Sequence, residues 1–190
     1  MRPIMFFVLL FAIAWQNAIA AGGDGWHKNI HLLPQYCKDN AAGKGRFEKW
    51  RSTFGEAYIH MHHYCAGVSA ELKAKSTLNQ QERVSALQRV VGQMRYVSSS
   101  CNTRCVLYPE LHTRWGWALS ELGQTAEAIQ HYQLAIKAKR NYTLAYARLS
   151  ELYLKANQTD EARKILESGL KAKPNSSALK KRLKKLELSE

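Results

Sequence analysis

Apolar residues in the first half of the chain recur every three or four positions in two stretches. One stretch begins at Phe47 and runs to about Lys75, and the other runs from Gln81 to about Ser98. One face of an α-helix repeats at this interval, so each stretch predicts an amphipathic helix, with a longer loop around 76–80. The apolar positions are Trp50, Phe54, Tyr58, Met61, Cys65 and Val68 in the first stretch, and Val84, Leu87, Val90, Val91, Met94 and Val97 in the second.

The second half of the chain contains an internal repeat, in which Ala128 aligns with Ala162. We call the spacing between these two alanines, about 34 residues, the repeat period. The stretch Leu122–Ala128 aligns with Ala156–Ala162, and Tyr132 aligns with Leu166. Small residues on these predicted helices allow close approach of paired helices, while large residues fill the gaps between pairs. The small residues are Gly116, Ala128, Ala135, Ala162 and Gly169.

The segment Pro109–Ile136 reads PELHTRWGWALSELGQTAEAIQHYQLAI and resembles the tetratricopeptide repeat. Trp115 and Gly116 stand where the family has a large residue followed by glycine. The second copy, Thr143–Ser176, has Ser150 in place of that glycine, and the first copy has Arg140 where the second has a proline. The resemblance implies an all-α fold, a short solenoid of helical hairpins.

Two repeats and a cap do not usually bury a continuous core, so residues 46–108 are expected to supply a degenerate helical pair. Within this pair, Phe54 and Gly55 mimic the large residue and glycine of a repeat. The first repeat is assigned to 109–142, the second to 143–176, and a capping helix to 177–190. Residues 21–45 have few apolar positions and are expected to be mostly irregular, lying over the first helix pair.

Residues 1–20 are typical of a secretory signal peptide. Arg2 precedes the apolar run Ile4–Trp15, which is too short to cross a bilayer as a helix of about 20 residues. Ala18 and Ala20 form a small-residue cleavage site, which predicts cleavage after Ala20 or one residue later. The alternative is an uncleaved membrane anchor. The order of features along the chain is similar to that of exported repeat proteins of Gram-negative bacteria, which implies a periplasmic location.

The four cysteines all follow the predicted cleavage site, and an even number in an exported chain indicates disulfides. Three pairings are possible. We favour Cys37–Cys65, which would tie down the N-terminal segment, together with Cys101–Cys105, which would close a very small loop. Three glycosylation sequons begin at Asn141, Asn157 and Asn175, and they matter only in a eukaryotic secretory chain.

The formal net charge is +13, and the excess of positive charge is largest near the C-terminus. The stretch 137–190 holds fourteen Lys or Arg residues against six Asp or Glu residues. A basic surface of this kind could meet nucleic acid, an anionic lipid or an acidic glycan. Export argues against nucleic acid, so contact with an envelope polysaccharide or an anionic surface through the basic C-terminal helix is one hypothesis. The other is an ordinary solvated helix surface.

The stretch Tyr58–Cys65 reads YIHMHHYC and is dense in metal-ligating residue types. On a continuous helix, Glu56, His60 and His63 share one face at i, i+4 and i+7, an arrangement that could ligate a metal ion. The alternative is a set of surface or packing histidines, hydrogen-bonded to the N-terminal segment. No catalytic motif is recognised, so neither enzymatic activity nor a cofactor is predicted.

The resemblance to tetratricopeptide repeats also implies a partner-binding surface, because the first helix of each repeat lines a concave groove in that family. Trp117 is expected in this groove, since Trp115 takes the core position, and an exposed Trp is typical of binding hot spots. The alternative is that Trp117 packs against a neighbouring helix or the N-terminal segment. The function predicted is an envelope adaptor that binds a protein or peptide partner. The groove residues are Glu110, Thr113, Trp117, Ser120, Leu144, Ala147, Glu151 and Leu154.

Overall fold

The computed structural model describes residues 26–42 and 47–188. Within these ranges the secondary structure is helical and contains no strand. The predicted signal peptide, residues 1–20, lies outside the described residues. None of the helices that the structure describes combines the length and apolar character needed to cross a membrane.

Nine α-helices and two 3-10 helices are found in the described part of the chain. The 3-10 helices span Trp26–Leu32 and Gly55–His60. The α-helices are α1 (Gln35–Ala42), α2 (Phe47–Phe54), α3 (Met61–Ser76), α4 (Gln80–Ser98), α5 (Tyr108–Glu121), α6 (Thr125–Ala138), α7 (Thr143–Lys155), α8 (Thr159–Ala172) and α9 (Ser177–Glu187).

From α3 onward the helices stack as antiparallel pairs, each packed on the next. Helices α3 and α4 form the first pair, α5 and α6 the second, and α7 and α8 the third, while α9 packs on both members of the third pair. Helices α3, α5, α7 and α9 also contact one another in sequence. We call the surface of these four helices that carries Arg114, Arg148 and Arg182 the inner face, and the surface of α4, α6 and α8 the outer face.

The turns within the second and third pairs repeat the same backbone conformation. Gly123 and Asn157, one repeat period apart, both have positive φ, at 79° and 57°. Glycine enters this left-handed region without steric cost, and asparagine is one of the few other residues that do so readily. The repeat therefore extends to the backbone geometry that ends α5 and α7.

The close approach predicted for the small residues is confirmed. A Cβ atom on Gly116 would lie 3.0 Å from the carbonyl oxygen of Ala128 and 3.0 Å from Tyr132. A Cβ on Gly169 would lie 2.7 Å from Leu179 and 2.9 Å from Tyr146. Real side chains do not fit at such distances without displacement of their neighbours. Ala128, Ala135 and Ala162 are fully buried at the same interfaces.

The continuous helix predicted from Phe47 to Lys75 is wrong. The helix ends at Phe54, the chain passes through a 3-10 segment, and α3 begins at Met61. Gly55 has a φ of 61°, which interrupts the helix, and a Cβ there would meet no atom within 4 Å. Gly55 is therefore a bend and not the packing glycine of a repeat.

The N-terminal segment is helical in its described part, which corrects the expectation of a mostly irregular segment. It contains the first 3-10 helix and α1, and α1 packs on α3. The disulfide Cys37–Cys65 joins these two helices, and Cys101–Cys105 closes the loop before α5. Both favoured pairings are thus present in the structure.

Candidate functional site

Three arginines occupy the same position in three successive inner helices. Arg114 on α5, Arg148 on α7 and Arg182 on α9 follow one another at intervals of one repeat period. Since the helix pairs repeat with this period, the three guanidinium groups lie on the inner face in one row. Each donates a hydrogen bond to a glutamate of the inner helices, so the row is a ladder of ion pairs. We call these residues the arginine ladder.

The first arginine of the ladder is buried in a network that joins α3 to α5. Arg114 donates from Nη2 to Glu110 Oε1 at 2.7 Å and from Nε to the hydroxyl of Tyr64 at 3.1 Å. Its Nη1 donates to Glu71, and Glu71 also accepts from Lys75. The Glu71 residue is only 7% exposed, so its charge depends on these two cations.

The pKa values in this network follow from burial and from these ion pairs. Burial alone would raise the pKa of Glu71, but Arg114 and Lys75 outweigh it and lower that pKa below its ordinary value. Burial opposes the charged form of Arg114, but Tyr64, Glu71 and Glu110 together raise its pKa. Burial raises the pKa of Tyr64. The network is therefore charged at neutral pH, and every cation in it has a partner.

Helix α1 covers this first part of the ladder. Tyr36 packs edge-on against Trp50 and Phe54, and its hydroxyl oxygen lies 3.5 Å from Glu110 Oε1. Burial and the charge of Glu110 raise the pKa of Tyr36 to about 12, so the phenol stays neutral. The disulfide at Cys37 holds the helix in place. The inner face is consequently occupied by the protein's own N-terminal segment next to Glu110.

The second and third arginines share one carboxylate and are more exposed. Arg148 donates to Glu151 Oε2 and Arg182 donates to Glu151 Oε1, both at 2.9 Å. The side chains of Arg148 and Arg182 are 30% and 39% exposed, against 21% for Arg114. Two guanidinium groups thus share one carboxylate at this end of the inner face. This part of the inner face therefore carries a net positive charge.

A separate ion-pair cluster joins α4, α5 and α7 at the end of the row. Glu121 accepts from Lys155 at 2.7 Å and from Arg83. Burial would raise the pKa of Glu121, but Lys155 and Arg83 lower it below the ordinary value. Lys155 stands one repeat period after Glu121, so neighbouring repeats carry opposite charges at this position and pair with each other.

Trp117 is buried, and the expectation that it is exposed in a groove is wrong. The residue is 7% exposed, and Lys75 Nζ lies 4.6 Å above the centre of its ring. Helix α3 supplies Lys75, and the cation–π contact closes the space over the indole. Trp117 instead lines a cavity of about 40 Å³ with Tyr132 and Arg148.

The other predicted groove residues divide by exposure. Thr113 and Ala147 are buried, so neither can contact a partner directly. Leu144 and Leu154 are 44% and 40% exposed. The partly exposed residues are Glu110, Ser120 and Glu151, of which Glu110 and Glu151 are ion-paired.

The candidate metal-binding set is not brought together. A 3-10 helix turns by about 120° per residue, so Glu56 and His60 do not share a face as they would on an α-helix. His63 instead makes a 2.8 Å hydrogen bond from Nδ1 to Gln93, and its ring packs against Tyr96, which also contacts His60. In the described ranges, no group of three or more His, Cys, Asp or Glu residues could hold a metal ion.

A second pair of histidines lies between α5 and α6, where the sequence patterns gave no indication of it. The Nδ1 atoms of His112 and His131 are 2.7 Å apart, and Trp115 stacks on His131. Nε2 of His112 is buried without a hydrogen-bond partner among the described residues. Burial, together with His131, lowers the pKa of His112 to about 4, and burial lowers the pKa of His131 to about 4. Both rings are therefore neutral at pH 7.

The fold and the inner face define a class, a short solenoid of helical hairpins with a polar inner surface. Residues 119–186, from the end of α5 into α9, match the family model of the tetratricopeptide repeat. The match agrees with the resemblance to this family that the sequence of the two repeats carries. A comparison with curated proteins finds no match.

Solved structures of tetratricopeptide repeat proteins resemble the chain as well. TTC0263 of Thermus thermophilus is 17% identical, with a TM-score of 0.62 over 93% of this chain and 96% of that one, which shows a shared fold. The first tetratricopeptide domain of Spaghetti (RPAP3), solved with an HSP90 peptide, is 21% identical over 65% of this chain and 94% of that one, with a TM-score of 0.47. YrrB is 11% identical over 90% and 98%, also with a TM-score of 0.47.

Proposed function

We propose that the protein is an exported adaptor that holds a protein partner of the cell envelope against the α7–α9 part of its inner face. The observation that carries this proposal is the shared carboxylate of Glu151, bonded by both Arg148 and Arg182. A guanidinium has five N–H donors, and both side chains are partly exposed, so donors remain for an acidic group of a partner.

The exposed leucines support the same location. Leu144 stands one repeat period after Glu110 and therefore takes the corresponding place on the inner helix of the next repeat, where no α1 covers it. Leu154 is also exposed, near the end of α7. An apolar anchor beside a positive patch fits an extended or helical peptide with apolar and acidic side chains. The predicted site thus moves from Trp117 toward α7 and α9.

Export is part of the proposal, and two features favour it. The first is the order of the basic, apolar and small residues in 1–20. The second is the pair of disulfides, since such bonds persist in oxidising compartments and are rare in the cytosol. Fractionation of cells that express the protein, with mass measurement of its N-terminus, tests this part: a cytoplasmic, uncleaved chain contradicts it.

The binding surface is tested with the double variant Arg148→Gln, Arg182→Gln as bait in envelope extract. We expect the partner that binds the inner face to be lost, because the substitutions remove both donors and keep polar side chains. The matched control is Lys180→Gln, Lys181→Gln, which removes two exposed charges of α9 outside the ladder. Equal capture by the double variant and the wild type, with equal thermal stability, would exclude this surface.

A second hypothesis, contact of α9 with an anionic surface, remains a prediction. Four exposed lysines, at positions 180, 181, 184 and 185, lie on this helix, and Ser176 caps its start by accepting from Leu179 N. Attraction between exposed charges is screened by salt. Binding to vesicles with anionic lipid should therefore disappear at high ionic strength, and binding that persists in high salt contradicts an electrostatic contact.

A further inference from the structure

The outer face carries a cleft between α6 and α8 that the proposed function does not use. The cleft has a volume of about 950 Å³, and residues of α7 form its floor. This volume falls within the range of ligand sites in proteins. The cleft is lined by Gln133, Ile136, Lys137, Arg140, Asn141, Tyr146, Leu149, Ile165, Ser168, Lys171 and Ala172.

Three cations stand at this cleft without a carboxylate. Lys137, Arg140 and Lys171 are exposed, and no Asp or Glu is among the described residues that line the cleft. Within the described part of the chain, none of the three has an ion-pair partner, whereas the cations of the arginine ladder are all paired. The positive charge of the outer cleft is thus uncompensated by the protein itself.

The repeat explains why these cations converge. Lys137 and Lys171 are one repeat period apart, so they end α6 and α8 at equivalent places. Arg140 stands where the next repeat has Pro174, and this departure adds the third cation between them. Arg140 and Tyr146 both line the cleft, and the charge of Arg140 opposes the rise in the Tyr146 pKa that burial causes.

Apolar side chains lie among the cations. Ile136, Ile165 and Ala172 are partly buried, and they are packed against the buried core cluster that contains Tyr146 and Leu166. A purely ionic ligand such as an acidic glycan would cover this apolar surface without gaining from its burial, whereas an apolar side chain would gain about 25 cal/mol per Å² buried. A flat lipid surface could not enter a cleft between two helices.

We propose that the outer cleft binds an acidic peptide segment, with its carboxylates on Lys137, Arg140 and Lys171 and an apolar side chain on Ile136 and Ile165. The segment belongs to a partner protein and occupies the face opposite the arginine ladder. The adaptor would then hold two ligands at once, one on each face. This second site does not depend on the inner-face proposal, since it shares no residue with it.

The test uses the purified protein and a fluorescein-labelled peptide of alternating acidic residues and leucines, followed by fluorescence anisotropy. The cleft variant is Lys137→Gln, Arg140→Gln, Lys171→Gln. The matched control, Lys180→Gln, Lys181→Gln, Lys184→Gln, loses the same net charge from α9. We expect the cleft variant to bind at least about tenfold more weakly and the control to change less than about twofold, because charges that face the ligand matter most.

Two further arms separate the alternatives. Because the inner face also suits an acidic peptide, the cleft substitutions are repeated in the background of Arg148→Gln, Arg182→Gln, where they should still weaken peptide binding about tenfold. A peptide with serine in place of leucine should also bind about tenfold more weakly. An equal loss in the cleft variant and in the charge-matched control would overturn the proposal, because it would show diffuse attraction. So would loss only in the inner-face variant, or binding of a heparin fragment to the cleft with no binding of the peptide.

Discussion

Arg182 on the capping helix donates to Glu151 on α7, with 2.9 Å between Nη2 and Oε1. Arg114 makes the equivalent link from α5 back to Glu71 on α3. In both places an arginine of one inner helix reaches a glutamate of the preceding inner helix. The ladder therefore connects α5 to α3 and α9 to α7, as well as forming the inner surface.

The ion pairs of Arg114 and Arg148 should stabilise the folded protein unequally, because Arg114 is the more deeply buried of the two. We expect Arg114→Met to lower the free energy of unfolding by about 3 kcal/mol, because Glu71 then keeps a buried charge with Lys75 alone. The matched substitution Arg148→Met, at the equivalent position of the next repeat, should cost at most about 1 kcal/mol, since its pair is partly exposed. Urea denaturation measures both, and equal costs contradict the burial argument.

Replacing glycine by alanine is expected to change stability in opposite directions at a helix interface and on the surface. Gly116→Ala gains about 1 kcal/mol of helix propensity but forces a Cβ to 3.0 Å from the Ala128 carbonyl oxygen, an overpacking cost of about 1–3 kcal/mol. We expect a net loss of about 1 kcal/mol. Gly92→Ala on α4, with no atom within 4 Å of the new Cβ, should gain about 0.5–1 kcal/mol. Thermal denaturation compares the two variants. If both are stabilised, the α5–α6 interface must shift to accept the new Cβ at position 116.

The disulfide Cys37–Cys65 is expected to contribute most to holding the N-terminal segment. It spans 28 residues, and the loop-closure relation gives about 3–4 kcal/mol for its removal, against about 2 kcal/mol for Cys101–Cys105, which spans 4. In the variant Cys37→Ser, Cys65→Ser, amide exchange in α1 should rise while α8 stays protected. Unchanged protection of α1 would show that Tyr36 and its aromatic neighbours suffice to hold it.

We expect the buried pair His112 and His131 to make the protein less stable in mild acid. The pKa of each ring is about 4 in the folded protein, against an ordinary value of 6.5. Between these values the unfolded chain binds protons that the folded protein does not, so stability is fully present above pH 6.5 and falls as the pH falls toward 4. The urea concentration at the midpoint of unfolding, measured from neutral pH down to about pH 4, should decrease accordingly. His131→Gln should roughly halve this decrease, and an unaltered slope would assign the effect to other groups.

The fold was predictable because the repeat period links sequence directly to packing. Gly116, Ala128 and Gly169 are small because the paired helices of the repeats approach closely there, so the pattern alone identified the helix interfaces. The arginine ladder follows the same period, and aligning charged positions at this offset would have revealed the regular spacing of its arginines. Exposed charges usually form a solvated surface, so a periodic arginine does not by itself distinguish an ion-pair ladder from ordinary solvated residues.

The burial of Trp117 and the break at Gly55 could not be predicted in this way. Trp117 is covered by Lys75, which lies on α3 outside the matched repeats, so its exposure depends on a tertiary contact. Gly55 fits the spacing of a packing glycine, and only its positive φ shows that it bends the chain. The metal hypothesis depended on a continuous helix that placed Glu56, His60 and His63 on one face, and the structure has a 3-10 segment there instead.

The adaptor function is tested most directly by photo-crosslinking from the two faces of the protein. A benzophenone amino acid replaces Leu144 on the inner face in one variant and Tyr96 on α4 in the other, positions that are 44% and 48% exposed. After irradiation in envelope extract, we predict that the variant at position 144 is joined to a specific protein partner and the variant at position 96 is not. A partner joined to position 96 and absent at position 144 would contradict binding on the inner face.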